Sequence, residues 1–158
     1  VTLVTSEDVG RRLDALESEG AIRRLMATYI ETRDFGGDAA SIAGLFTPDG
    51  VWEHVGRLAP VLGAHRGREA IARRFSGSLP LSRHFLTNEA ITVTGDTAVG
   101  TWSYLMASVV EEQVVWTAGR YRNDFVRVAG AWKFQHVRID DIALPSTANG
   151  WLKMRSAP

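Results

Sequence analysis

The sequence predicts an α+β fold in which N-terminal helices pack on a strongly curved, mostly antiparallel sheet. Three observations carry this. Apolar residues recur at helical spacing through the first 45 residues, long alternating runs take over after residue 82, and turn residues punctuate those runs. Strands as long as these rarely stay flat, so the sheet is expected to coil into a cone with an interior. At 158 residues the chain has the size of one domain, expected over 1–144 with a C-terminal tail at 145–158.

The first helix is expected from Ser6, as N-cap, to about Ser18. Glu7 and Asp8 favour its positive end, and Val9, Leu13 and Leu16 form a short apolar stripe. Ile22, Leu25, Met26, Tyr29 and Ile30 mark one buried face of a second helix, which stops at Gly36-Gly37. Asp38 caps a third, short helix, and Thr47-Pro48-Asp49-Gly50 reads as a turn. A short hairpin is expected over Val51–Val55 and Leu62–Arg66, then a helix over Gly67–Phe75 and a loop to Pro80. Strands follow at about 83–93, 97–110, 113–128 and 131–141, joined at Gly95-Asp96, Glu111-Glu112 and Ala129-Gly130. Trp151, Leu152 and Met154 suggest a tail that docks.

Composition excludes several function classes. Eighteen basic and eighteen acidic side chains cancel, so the basic excess of a nucleic-acid binder is missing. Cysteine is absent, which rules out disulfides, thiolate nucleophiles and cysteine-ligated zinc. No apolar run approaches the roughly 18 residues of a membrane span, and no membrane partner is expected. Val1 to Thr5 lack a basic stretch leading into an apolar one, so no signal peptide is expected and the protein is placed in the cytoplasm. No two histidines and a carboxylate share a metal-binding spacing, so no metal is expected.

Within Leu81-Ser-Arg-His-Phe-Leu-Thr-Asn88, strand alternation puts His84 and Asn88 on one face with Leu86, Ala90 and Thr92. Phe85, Thr87, Ile91 and Val93 take the other face. Asp34 lies roughly 40° around the helix from Ile30, at the edge of the buried stripe. A carboxylate in the last turn opposes the helix dipole, which argues for a role beyond surface decoration. Arg33 falls closer to the stripe's centre, as a guanidinium at the pocket or a partner for Asp34. Tyr29, Trp52, Trp102, Tyr104, Trp116, Tyr121 and Phe125 are core aromatics, several of them expected to line a cavity. Tyr121 and Asn123 share a face and could orient a substrate oxygen, as could Trp102 and Tyr104. His136 alternates with Trp132, Phe134 and Arg138 and is expected on the core face, while His54 and His65 are read as peripheral. Arg73-Arg74 is read as a solvated face.

These pieces together resemble the SnoaL-like branch of the nuclear-transport-factor-2-like superfamily, a cone-shaped α+β fold. The matching segments are Ala21-Ile22, Tyr29, Asp34, Leu45-Phe46-Thr-Pro-Asp49 and Gly67-Arg-Glu-Ala-Ile71. They continue with His84-Phe-Leu-Thr-Asn88, Gly95-Asp-Thr-Ala98, Gly119-Arg-Tyr121 and Gly130-Ala-Trp-Lys-Phe134. Asp34 and His84 resemble the catalytic dyad of scytalone dehydratase and lindane dehydrochlorinase, and Thr87-Asn88 matches the pair that follows the dyad histidine in the latter. The resemblance implies a cofactor-independent lyase or isomerase acting on a small hydrophobic, cyclic or polyketide-like molecule. Asp34 and His84 would be catalytic, with Tyr29, Trp52, Asn88, Trp102, Tyr104, Tyr121, Asn123 and His136 as candidates to bind substrate. Since the fold hosts many functions, the alternative is a non-catalytic ligand-binding or assembly subunit. By the same analogy the outer sheet face would form a homodimer or homotrimer.

Overall fold

A computed structural model describes residues 5–77 and 81–143. The tail with Trp151, Leu152 and Met154, and the last residues of the expected loop, lie outside the described residues. Helix α1 (Ser6–Asp34) is one element of 29 residues where two helices were expected. Thr5, rather than Ser6, caps it and closes a capping box with Asp8. Gly20 does not break it, because one glycine costs only about 1 kcal/mol relative to alanine, less than the packing of the helical turns that follow. The helix ends where Gly36 turns to a φ of +80°. Its two halves differ: Val9, Leu13 and Leu16 are more than half exposed, whereas Ile22, Met26, Tyr29 and Asp34 are buried.

Helix α2 (Ala39–Gly44) is capped by the Asp38 carboxylate, as expected. Strand β1 (Phe46–His54) then runs straight through the segment read as a turn. The turn residues survive only as an irregularity, a register jump against β6 between Phe46 and Val51. Helix α3 (Ala59–Leu62), strand β2 (Ala64–Arg66) and helix α4 (Arg68–Phe75) complete the first half. The second half is the expected meander: β3 (Ser82–Thr94), β4 (Thr97–Val110), β5 (Gln113–Val128) and β6 (Ala131–Ala143).

The six strands form one sheet in the order β2-β1-β6-β5-β4-β3. All neighbours are antiparallel except β1 and β6, which run parallel and join the two halves of the chain. This corrects the expected strongly curved cone: the sheet is mixed and open, and it neither curls strongly nor closes. Its edges cannot meet rung for rung, since β2 has three residues and β3 has thirteen. Register breaks in the β1–β6, β3–β4 and β5–β6 pairs bend the strands locally instead. The helices cover the inner face through an aromatic cluster in which Tyr29 meets Phe46, Phe75, Tyr121 and Phe134 edge-on. Trp52 adds an indole N–H donated to the Tyr29 hydroxyl at 2.8 Å.

Candidate active site

Asp34 arrives at the site because the last turn of α1 ends over the start of β3. One carboxylate oxygen of Asp34 lies 2.6 Å from His84 Nδ1, and the other accepts the His84 backbone N–H at 2.6 Å. Their side chains are only 3% and 2% exposed, so the pair is held away from water. Ser82 donates a further bond to the carboxylate at 3.4 Å. A carboxylate can only accept, which fixes the proton on Nδ1. Arg33 sets its Nη1 against the same ring, 2.8 Å from Nε2, 3.2 Å from Nδ1 and 3.7 Å from the Asp34 carboxylate. A guanidinium can only donate, so Nε2 carries the lone pair.

Burial pushes the Asp34 carboxyl up, but the ring and backbone hydrogen bonds from His84, helped by Arg33, outweigh it and hold it below its ordinary value. His84 is held below its usual value first by burial and then by the Arg33 charge, against the opposing pull of Asp34. The arrangement is therefore a neutral imidazole whose tautomer is fixed by a carboxylate, with the other nitrogen set up as a base.

Two bulges redistribute the remaining candidates. Thr87 pairs with Ser103 and Ala90 with Thr101, so Asn88 and Glu89 both stand opposite Trp102. Asn88 adopts a φ of +51° and is exposed. Beyond it the alternation flips, and Ile91 and Val93, not Ala90 and Thr92, continue the face of His84 and Leu86. Asn88 instead borders a cleft of about 270 Å³ with Arg23, Met26, Leu86 and Trp102. In β6, Gln135 is the extra residue between the Asp124–His136 and Phe125–Phe134 pairs. His136 is thereby turned to the outer face, contrary to the expected core face, where its ring lies 2.6 Å from Glu53 and 2.7 Å from Arg138.

Tyr29, Trp52, Tyr121 and Asn123 are all on the inner face and at most 2% exposed, as parts of the packed core. Burial pushes both phenols, Tyr29 and Tyr121, above their ordinary value. The Asn123 side chain donates to the Met26 sulfur at 3.5 Å. Trp102 and Tyr104 share the inner face of β4, and the Tyr104 ring centroid lies 6.0 Å from that of His84.

Three residues near the dyad were read differently from sequence. His54 is not peripheral: it faces inward with a side chain 9% exposed, its Nδ1 2.8 Å from the Asp141 carboxylate. Asp141, passed over in the sequence, is buried and accepts the Tyr104 hydroxyl. Its parity with Val137 and Ile139 was the available signal, once the Gln135 bulge is allowed for. Arg74, read as solvated, lays its guanidinium 5.1 Å over the Trp52 ring. Among the described residues no group of three or more potential ligands is placed to hold a metal ion, and no helix is long and apolar enough to cross a membrane.

A family model described as a SnoaL-like domain matches residues 14–138, most of the chain and both members of the dyad. The chain belongs to the SnoaL-like family. Its fold is also that of several solved structures. A nuclear-transport-factor-2-like protein with a cystatin-like fold, from Novosphingobium aromaticivorans, superposes with a TM-score of 0.71 at 26% identity, over 96% of this chain and 97% of that one. A hexachlorocyclohexane dehydrochlorinase from Novosphingobium barchaimii gives 0.70 at 22% identity, over 82% and 90% of the two chains. A protein from N. aromaticivorans assigned as a scytalone dehydratase gives 0.70 at 22%, over 80% and 85%. At 22% identity the last two share the fold. No curated protein matches the chain.

Proposed function

We propose that this SnoaL-like domain is a cofactor-independent lyase or isomerase in which His84, oriented by Asp34, removes a proton from a small hydrophobic, cyclic or polyketide-like substrate. The observation that carries this reading is the buried 2.6 Å contact between His84 Nδ1 and the Asp34 carboxylate. It leaves Nε2 as the basic atom, and Asp34 stabilises the imidazolium that forms. General base catalysis of this kind contributes on the order of 10² to 10⁴ in rate, enough for an α-proton already acidified by a carbonyl. β-Elimination is the first choice, because the superposing structures include one named a dehydrochlorinase and one assigned as a dehydratase. A purely assembling subunit has no need of a hydrogen-bonded pair in this setting.

Arg33 must yield its position at Nε2 when substrate arrives, and a carbonyl oxygen is the natural acceptor for it. His84→Ala is expected to abolish elimination while leaving the circular dichroism spectrum and ligand binding close to wild type. Full activity in that variant would remove the dyad from the mechanism.

A further inference from the structure

Two arginines that bracket Tyr29 have donors that the described residues leave unused. Arg33 makes its polar contacts through Nη1, which meets Ser82, both ring nitrogens of His84 and the Asp34 carboxylate. Its Nη2 and Nε have no partner among the described residues, although the side chain is only 16% exposed. One helical turn earlier, Tyr29 takes the Trp52 indole N–H at 2.8 Å and stands edge-on to Phe75. Trp52 and Phe75 meet edge-on as well, with centroids 5.4 Å apart. Arg74 closes this aromatic group from α4, its guanidinium carbon 5.1 Å from the Trp52 centroid and 5.7 Å from that of Phe75. Tyr29 thus has Arg33 on its own helix and Arg74 over the two rings packed against it. Burial first, and then the Arg33 charge, hold Arg74 below the ordinary guanidinium value, so the two cations are near enough to oppose one another.

Stacking does not account for Arg74. A ring covers the flat face of a guanidinium and leaves free its N–H donors, which lie in its plane. The described residues include all eighteen Asp and Glu side chains, yet none of them pairs with Arg74, and no hydrogen bond reaches it there. Its neighbour Arg73 does approach an acid, Glu69. The other described arginines without such partners are Arg12, Arg24, Arg57, Arg66, Arg120 and Arg122, and all are exposed. Water compensates those; a half-buried cation needs an anion. Asp34 is already committed to His84 and Arg33.

We propose that Arg74 and the free edge of Arg33 receive a carboxylate of the substrate, so that the molecules turned over are small, largely apolar acids. The inference rests on the dyad reading and adds the substrate's charge to it. A guanidinium matches a carboxylate with two parallel N–H bonds, and in-plane donors are what both arginines have to spare. Of the oxygens a substrate can offer Arg33, a charged one competes best with the His84 ring nitrogen. Seating the anion therefore draws Arg33 off Nε2 and frees the base. The carboxylate is a handle, and the proton leaves from beside a separate carbonyl.

The test is titration calorimetry with benzoate and 3-oxocyclohexanecarboxylate, each compared with its neutral amide. Wild type is expected to bind each acid about 10-fold or more tightly than its amide, the size of a charge-assisted hydrogen bond. Arg74→Met, which keeps an apolar chain over Trp52, should lose that preference and bind the amides as before. Arg73→Met removes the same charge one residue away and should keep the preference. Should Arg74→Met misfold, Arg33→Gln carries the comparison, with the same selective loss expected. Equal binding of acid and amide by wild type, no binding of either acid, a preference that survives in Arg74→Met, or a loss there shared by acids and amides overturns the assignment. His84→Ala should keep the preference, so a failure of the dyad reading shows in turnover and leaves the binding result standing.

Discussion

Around His84 two neighbours pull in opposite directions: Asp34 stabilises the protonated ring, while Arg33 opposes it. Burial adds to Arg33 and sets the net direction, downward. A base held low stays competent as the medium acidifies, so the acid limb of kcat/KM should fall below the roughly 6.5 of a free histidine. Arg33→Gln removes the cationic part of that effect, and the limb is expected to move toward higher pH without disappearing. A pH–rate profile of the two proteins checks this, and an unmoved limb would mean that Arg33 does not act on the base. The dyad itself was legible because each member sits where local rules apply simply: Asp34 before a Gly-Gly helix stop, and His84 at the start of a strand, ahead of any bulge. The approach of His54 to Asp141 was not legible. Their meeting depends on β1 and β6 lying side by side, and nothing in the alternation of either strand specifies its neighbour.

At the scale of elements, the boundaries of the four meander strands were readable and strand faces were not. The hairpins at Gly95-Asp96 and Ala129-Gly130 announce themselves by residues that accept positive φ, and the expected limits hold to within about two residues. A bulge has a weaker signature, since one extra residue inverts every side chain beyond it. Asn88 and Gln135 did this to β3 and β6, moving Ile91 and Val93 inward and His136 outward. Asn88 is suited to its place because asparagine tolerates the left-handed region better than most side chains. Asn88→Gly should therefore be close to neutral, whereas Asn88→Val should cost about 1–2 kcal/mol. Urea melts of both variants measure the difference, and equal stabilities would remove φ strain as the reason for asparagine.

For the molecule as a whole, the dyad ties stability to pH. Both Asp34 and His84 are held below their unfolded values, so each contributes stability that is present at higher pH and lost as pH falls. The His84 share is complete above about 6.5 and fades below it; the Asp34 share is complete above about 3.9 and fades further down. Melting temperatures recorded from pH 8 to 4 should fall in the range below 6.5, and His84→Gln should flatten the upper part of that fall. A variant curve parallel to wild type would show that the buried imidazole is not what acid attacks. The α+β class and helix-then-meander order were visible from periodicity alone. The open edge was not, because closure depends on how the first and last strands of the sheet match, and alternation within a strand does not show that; the strand expected over Leu62–Arg66 is only Ala64–Arg66.

The parallel pairing of β1 with β6 has a kinetic consequence. Phe46 and Phe134, paired across it, are far apart in sequence, and the loop they close contains every other strand. Contacts of such long range carry a large closure entropy and form late. During synthesis the helices and the β3–β5 meander are made well before β6 can pair with both of its neighbours. Asp34 and His84 can meet early, since α1 and β3 are both complete by then. Asp141 can reach Tyr104 and His54 only after β6 has inserted between β5 and β1. A chain that has not yet placed β6 can thus hold the Asp34–His84 pair while the Tyr104–Asp141 contact is still unmade.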